Sequence, residues 1–360
     1  MPIRDHHSKP FDPGTLAKLE LFRLTADGFL SVFIGSGQTW QKRVQVFDFF
    51  CGPGLDQNEN EGSPILLLRR LKDLADSISA TGCEVSILLN DSDENKIDEL
   101  KRNVANRGLE KGPYGLRFSN RTFIDLFPDE LSKMRGSANL VLIDQNGISQ
   151  FPPAIFGQLR QLSHTDILVF VSSSYAWRFQ DAPEISKHLE TAKVFATSPP
   201  FYKAHRAVVD YYRSLIPVGD DYQLAPFSIK KGSNIYGVMF GSRNMKGLEK
   251  FLEAAWRLDG RTGEANYDID REGRFSLPGE LPMDWGKTKK VQLFEMELKK
   301  AILEGELATT AAVYRFTLER GFLPKHANVA LRALHGEGRV TKITGLGYSS
   351  LVNPQPIILI

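Results

Sequence analysis

A chain of 360 residues, 42% hydrophobic and 24% charged, can bury a large core, which excludes wholesale disorder. Its formal net charge of +2 singles out no class of partner, and its two cysteines, Cys51 and Cys83, argue against a zinc site, an iron–sulfur cluster or a disulfide framework. Met1 to Gly14 lacks the apolar stretch of a signal peptide, and runs such as Ile167–Val171 are far too short to span a bilayer, so the expected location is the cytoplasm.

In chain order, a turn-like Asp12-Pro13-Gly14 leads into Leu16, Leu19, Phe22 and Leu24 at helical spacing, an N-terminal helical segment within residues 1–40. Val44–Phe50 is a β-branched and aromatic run that stops at Gly52-Pro53-Gly54. Ser63-Pro64 then opens a helix carrying Leu67, Leu68, Leu71 and Leu74, with Ser63 as its predicted N-cap. Val85–Leu89 reads as a strand and Asp93–Val104 as a helix with Ile97, Leu100 and Val104 on one face. A short strand is expected near Arg121–Ile124, then a strand at Leu140–Ile143, a helix from Pro153 to Leu162 and a strand at Ile167–Val171. Strands that are apolar on both faces and separated by helices imply a buried parallel sheet.

Phe227–Lys230 and Ile235–Phe240, joined by Lys231-Gly232-Ser233-Asn234, read as a hairpin. The expected fold is therefore α/β and Rossmann-like over residues 41–260, a mostly parallel sheet ending in an antiparallel hairpin. That is the layout of S-adenosylmethionine (SAM)-dependent methyltransferase domains.

Residues 261–286 are rich in glycine and proline and read as a connecting segment. Residues 287–360 follow with helical patterns at Val291–Leu303, Thr309–Glu319 and Pro324–Leu334, then Arg339–Ile343 with Gly345 as a small β-wing. Three helices and a wing outline a winged helix. Between Gly286 and Leu346 there are seven Lys and four Arg against six Glu, a local excess of five positive charges. One reading is a nucleic-acid surface formed by Lys325, His326, Asn328, Arg332, Arg339 and Lys342. The other is a protein-docking module whose charges solvate one face.

The candidate chemistry lies at the strand ends. Asp48 closes the first strand and runs into Gly52-Pro53-Gly54, where glycines let the backbone approach a nucleotide cofactor closely. In SAM enzymes this turn packs on the methionine end of the cofactor. Asp48 is then assigned to the cofactor's ammonium group through water, and the Gly52–Gly54 backbone to its carboxylate and sulfonium side. A plain tight β-to-α turn is the competing reading. Cys51 reads as a small packing residue, because no partner base lies beside it.

Asp91, at the tip of the second strand, is placed to accept both ribose hydroxyls, while Asp93 is placed to cap the following helix. Asp125 stands where such enzymes hold the adenine amino group, and an exposed loop acid reads equally well. Asp144, at the end of the fourth strand, is the candidate catalytic residue. Enzymes that methylate an exocyclic amine often place an acid or amide, two prolines and an aromatic here, to take the amine's hydrogens and stack on the base. In this chain Gln145 and Asn146 replace the prolines, and the stacking aromatic would come from Phe151, Tyr175 or Trp177. Ser172 to Phe179 suits a nucleobase or phosphate, and equally an ordinary loop packing its aromatics.

Several longer segments go beyond fold-level pattern: Phe11 to Glu20, Gly62-Ser63-Pro64, Lys230 to Gly237, Gly263 to Asp268 and Arg320 to Ala327. In these the chain resembles the three-Cys-motif partner (TcmP) family over nearly its whole length. The resemblance implies a methyltransferase-like protein that pairs with a radical-SAM-like protein bearing a three-cysteine motif. More distantly it resembles bacterial ribosomal RNA adenine-N6 methyltransferases, and in that comparison Lys18 and Ser63 would line the cofactor site. The family's fourth-strand pattern is similar to Asp-Pro-aromatic-Gly, from which Gln145 and Asn146 depart. Two functions are therefore expected from the sequence: a SAM-dependent methyltransferase acting on nucleic acid, or a non-catalytic partner of the radical-SAM protein.

Overall fold

The computed structural model describes residues 10–34, 41–145, 147, 150–183, 190–269, 287–343 and 345–360. The chain forms two compact units, Met1–Gly247 and Leu248–Ile360. Of the expected connecting segment, 261–269 belongs to the second unit and 270–286 lies outside the described residues.

The first unit opens with α1 (Pro13–Phe33), whose N-cap Asp12 accepts from the Thr15 amide at 3.0 Å, with proline in the first turn. Its inner face buries Leu19, Phe22, Phe29 and Leu30. There follow β1 (Arg43–Asp48), α2 (Ser63–Asp73), α3 (Ala75–Thr81), β2 (Glu84–Asn90), α4 (Glu94–Asn106) and β3 (Gly115–Ser119). After them come α5 (Phe123–Met134), β4 (Ala138–Ile143), α6 (Pro153–Arg160), β5 (Thr165–Val171) and α7 (Ser173–Arg178). Next are α8 (Thr191–Val194), α9 (Ala204–Ser214), β6 (Gln223–Lys231) and β7 (Asn234–Ser242).

The seven strands form one sheet in the order β3-β2-β1-β4-β5-β7-β6. β1 to β5 are parallel, and β7 runs antiparallel to both β5 and β6. This is the expected Rossmann-like layout, a mostly parallel sheet ending in an antiparallel hairpin. Every residue of β4 is buried, as a central strand covered on both faces requires. Strand order reverses between β1 and β4, so the ends of β1, β2 and β4 lie at the switch point, where α/β folds bind ligands.

Two local expectations are corrected. The third strand lies at Gly115–Ser119, whereas Phe123 already begins α5. The apolar residues Phe123, Leu126 and Phe127 are spaced for a helix and are buried in the core, while β3 is a five-residue edge strand with no fully buried position. Ser63 is not the N-cap of α2. Gly62 holds that position, and the Ser63 hydroxyl is engaged elsewhere.

The division between the units falls within α10 (Met245–Leu258). The second unit continues with α11 (Lys289–Leu303), α12 (Thr310–Glu319), α13 (Pro324–Gly336) and the short α14 (Ser349–Val352). Phe294, Leu298, Ile302, Val313, Leu318, Leu331 and Leu334 form its buried interior. Residues 355–360 lie between two short segments, with bridges Thr309↔Pro356 and Val340↔Leu359. The wing expected at Arg339–Ile343 is thus one bridge, and α14 interrupts the chain between its two sides. Among the described residues no helix is long and apolar enough to cross a membrane.

Candidate functional site at the carboxyl edge of the sheet

The turn after β1 is built from glycines in the left-handed region, Gly52 at φ 62° and Gly54 at φ 84°. A Cβ on Gly54 would lie 2.6 Å from Leu100 Cδ1, so both its backbone angle and its surroundings require glycine. Gly62 donates its amide to the Gly54 carbonyl at 2.8 Å, closing a loop whose interior is organised by Asp56. The Asp56 carboxylate accepts from the amides of Asn58 and Asn60, the Asn60 side chain and the amide of Phe11. Burial raises its carboxyl, but these hydrogen bonds prevail and hold it below the ordinary carboxylate range.

Asp48 is fully buried and lies behind this turn. Its carboxylate accepts from Ser63 Oγ at 2.6 Å and from the Phe50 amide at 3.3 Å. Burial pushes the carboxyl up to about 7, and the nearby Asp144 charge adds to the rise while the Ser63 bond and Lys18 oppose it. Ser63 and Asp48, singled out from separate motifs, are therefore one hydrogen-bonded pair joining β1 to α2. The Cys51 thiol beside them is buried and pushed well up by that burial, which keeps it protonated and unreactive.

Asp91 reaches back to the glycine turn. Its Oδ2 accepts from the Gly52 amide at 3.1 Å and its Oδ1 from the Asp93 amide at 2.9 Å. Asp93 caps α4 through the Asn95 amide, as expected. Pro53 is fixed through its carbonyl, which accepts from Asn103 Nδ2 at 2.9 Å. Asp125 lies in the first turn of α5, its carboxylate accepting from the Thr122 hydroxyl at 2.5 Å, and Thr122 caps the helix in return. The residue directly after β3 is Asn120, which donates to the Asp91 carbonyl at 3.0 Å.

Sequence reasoning missed Asn90. It is fully buried at the end of β2, where its amide donates to the carbonyls of Phe49 and Arg121 and its oxygen accepts from the Arg121 amide. One side chain thus ties together the turns after β1, β2 and β3. The available signal was an amide ending an otherwise apolar strand, Ile87-Leu88-Leu89-Asn90.

At the end of β4, Asp144 forms an ion pair with Lys18 of α1. The Lys18 ammonium lies over the Phe170 ring at 4.8 Å, and Phe170 stacks on Tyr236 of β7 with centroids 5.1 Å apart. The start of α1 is latched to the β6–β7 turn by Lys231 Nζ, 3.0 Å from both Asp12 and Thr15 Oγ1. Gly14 permits that approach, since a Cβ there would lie 2.7 Å from the Lys230 carbonyl oxygen. Segments more than 200 residues apart in sequence therefore border one edge.

Gln145 turns inward. It is buried, and its Oε1 accepts from the Gln150 amide at 2.7 Å. Asn146 lies outside the described residues. Phe151 is buried against Phe156 and Tyr212, which removes it as a stacking aromatic. Trp177 is half-buried and donates to the Pro199 carbonyl, whereas Tyr175 is exposed.

In the second unit the six candidate contacts separate into two sets. Lys325, Arg332, Arg339 and Lys342 are exposed, and among the described residues none of them has a carboxylate partner. Lys287, Lys290, Lys299, Lys300 and Arg320, by contrast, are each paired with a glutamate. His326 accepts from the Leu323 amide and packs on Trp256 at 4.2 Å, so it closes the start of α13. Burial lowers its imidazole to about 4, leaving it neutral. Asn328 accepts from the Leu346 amide at 3.0 Å, fixing the chain after the bridge. Among the described residues no cluster of His, Cys, Asp and Glu is arranged to hold a metal ion.

No family profile matches the chain and no curated protein matches it in sequence. Among solved structures, it is similar to a SAM-dependent methyltransferase from Agrobacterium tumefaciens, with 13% identity and a TM-score of 0.34 over 64% of this chain and 62% of that one. It is also similar to the METTL16 methyltransferase domain (11% identity, TM-score 0.33, 62% of this chain and 82% of that one). A third is the putative methyltransferase yhhF from Escherichia coli (13% identity, TM-score 0.30, 68% of this chain and 92% of that one). The chain thus spans less than two thirds of the Agrobacterium protein's length.

Proposed function

We propose that the first unit binds SAM at the carboxyl edge and transfers its methyl group to an exocyclic amine of a nucleic-acid base. The observation that carries this reading is the convergence of the Gly52–Gly54 turn, Asp91 and Asp144 at the switch point of a β3-β2-β1-β4-β5-β7-β6 sheet. The donor set fits such a cofactor. The Asp91 carboxylate, half-buried at the tip of β2, suits a ribose diol, and the left-handed glycines give close backbone approach. Asp48 supports the turn from behind through Ser63. Bound there, SAM would supply an electrophilic methyl group.

Asp144 would then accept hydrogen bonds from the substrate amine and orient its lone pair, with Lys18 holding the carboxylate in place. Lys18 and Ser63 border the cofactor region in this reading, and Asp125 stands at its adenine end. The second unit, read as a winged helix with α13 as its third helix, would contact nucleic-acid phosphates through Lys325, Arg332, Arg339 and Lys342.

Tritiated-methyl transfer from SAM to total DNA and RNA tests the enzyme reading. Wild-type transfer that Asp144→Ala abolishes supports it, and equal transfer by that variant removes Asp144 from the mechanism. A second reading, that of a non-catalytic partner for a radical-SAM three-Cys-motif protein, is favoured by Gln145, whose side chain is committed to the Gln150 amide rather than to a substrate. The resemblance to the TcmP family supports either role.

A further inference from the structure

The segment after β5 carries exposed aromatic rings that the fold does not use. α7 begins two residues beyond the end of β5, and the Ser172 amide donates to the Gly147 carbonyl at 3.4 Å, next to the strand end that bears Asp144. One side of α7 is locked inward. Ala176 is fully buried, Ser173 Oγ donates to the Ile235 carbonyl at 3.3 Å, and Ser174 Oγ accepts from the Ile235 amide at 3.1 Å. The other side presents Tyr175 and Phe179, one helical turn apart, 43% and 44% exposed, with ring centroids 4.7 Å from each other. Large rings standing together in water mark an interaction surface, not a core.

We propose that Tyr175 and Phe179 form a stacking platform for unpaired bases of a single-stranded nucleic acid, which leads the target base to the Asp144 edge. This rests on the nucleic-acid reading above and names the form of its substrate. Charge complementarity favours this occupant. Described residues 172–183 and 190–206 carry four cations, Arg178, Lys193, Lys203 and Arg206, against two carboxylates, Asp181 and Glu190; Lys193 pairs with Glu190, and the stretch keeps a net positive charge. Arg178 lies between the two rings in sequence, is exposed, and reaches Asn234 Oδ1 at 3.0 Å in the hairpin turn. A ring pair with an exposed arginine between its members, in a stretch of net positive charge, suits bases and phosphates together, and stacking accepts any base because each has a π-face. A duplex hides those faces in its own stack, so an unpaired strand is the form that the platform takes.

The test uses the full chain with fluorescein-labelled twelve-nucleotide oligouridylate and oligothymidylate and a blunt duplex of about the same length, read by anisotropy at fixed salt. The wild type is expected to bind single strands more tightly than the duplex. Tyr175→Ala/Phe179→Ala is expected to weaken single-strand binding roughly tenfold to a hundredfold. Tyr175→Phe and Phe179→Tyr, which keep the rings, should bind as the wild type does, and the calorimetric titration with SAM should be unchanged in every variant. Equal single-strand affinity in the double alanine variant overturns the platform, as does a wild type that binds no single strand or prefers the duplex. Intact SAM binding with a failed platform leaves the methyltransferase reading standing. A working platform on a chain that binds no SAM sinks that reading and keeps only the single-strand platform, with no target base to deliver.

Discussion

Lys18 and Asp144, 126 residues apart, form an ion pair that ties α1 to the end of β4. The ammonium also lies 4.8 Å from the Phe170 ring and 5.9 Å from the Phe22 ring, so its position is set by packing as well as by charge. The carboxylate assigned to the substrate amine is therefore oriented by a helix outside the βα series. Lys18→Met should lower methyl transfer roughly tenfold to a hundredfold, as expected when a reacting group loses its orientation, and Lys18→Arg should lose less. Initial rates at saturating SAM check this, and wild-type rates in Lys18→Met would show the pair to be incidental.

Asp48 makes the first unit sensitive to pH. Its carboxyl is raised by burial from 3.8 to about 7, so the folded chain keeps a proton that the unfolded chain has released. The stabilisation is complete below the unfolded value and is lost as pH rises through the folded value. Asp166, buried at the start of β5 with Ser242 Oγ at 2.5 Å, is likewise raised to about 7 by burial and adds to the same loss. The melting temperature should fall between about pH 4 and 7 and level off above, and Asp48→Asn and Asp166→Asn should each flatten part of that fall. An unchanged slope in both variants would contradict these assignments.

Gly54→Ala introduces both a left-handed backbone strain and an overlap with Leu100. It should cost about 1–3 kcal/mol in chemical denaturation. SAM affinity should fall at least about tenfold, because the turn must shift to relieve the overlap. Leu100→Ala lowers stability by itself, since Leu100 is fully buried, but on that background the closest overlap is gone and Gly54→Ala should cost less, with the angle remaining. No cost at all on that background would place the whole effect in packing.

The frame of the sheet was legible because its central strands are apolar on both faces. Val44–Phe50, Val85–Leu89, Leu140–Ile143 and Ile167–Val171 all fall on observed strands or overlap them closely. β3 was missed because it is a short edge strand whose Arg117 pairs with Glu130 of α5, so it carries little apolar signal. At the site, residue types at strand tips were readable, but their partners were not. Asp48 with Ser63, Asp91 with the Gly52 amide, and Lys18 with Asp144 are long-range pairings that no local spacing encodes. His326 shows the same limit, since its position in a basic stretch does not reveal its engagement at a helix start or its packing on Trp256.

That distinction predicts how the second unit responds to salt. Arg332→Glu/Lys342→Glu should reduce the slope of log affinity against log salt for nucleic acid by about two, because each lost phosphate contact removes about one released counterion. His326→Ala should leave that slope unchanged, its imidazole being neutral at physiological pH. It should lower thermal stability instead, by removing the ring from its place at the start of α13. An unchanged slope in the double variant would assign this surface to another partner.

The proposed function requires that the Gly52–Gly54 turn and Asp91 hold SAM. Isothermal titration of the pure full-length chain with SAM and with its demethylated product tests it most directly, alongside Asp91→Ala. Saturable binding of one equivalent, weakened at least about tenfold by Asp91→Ala, is the predicted result, since a carboxylate holding a ribose diol contributes charge-assisted hydrogen bonds. No saturable binding of either compound by the wild-type chain would contradict it.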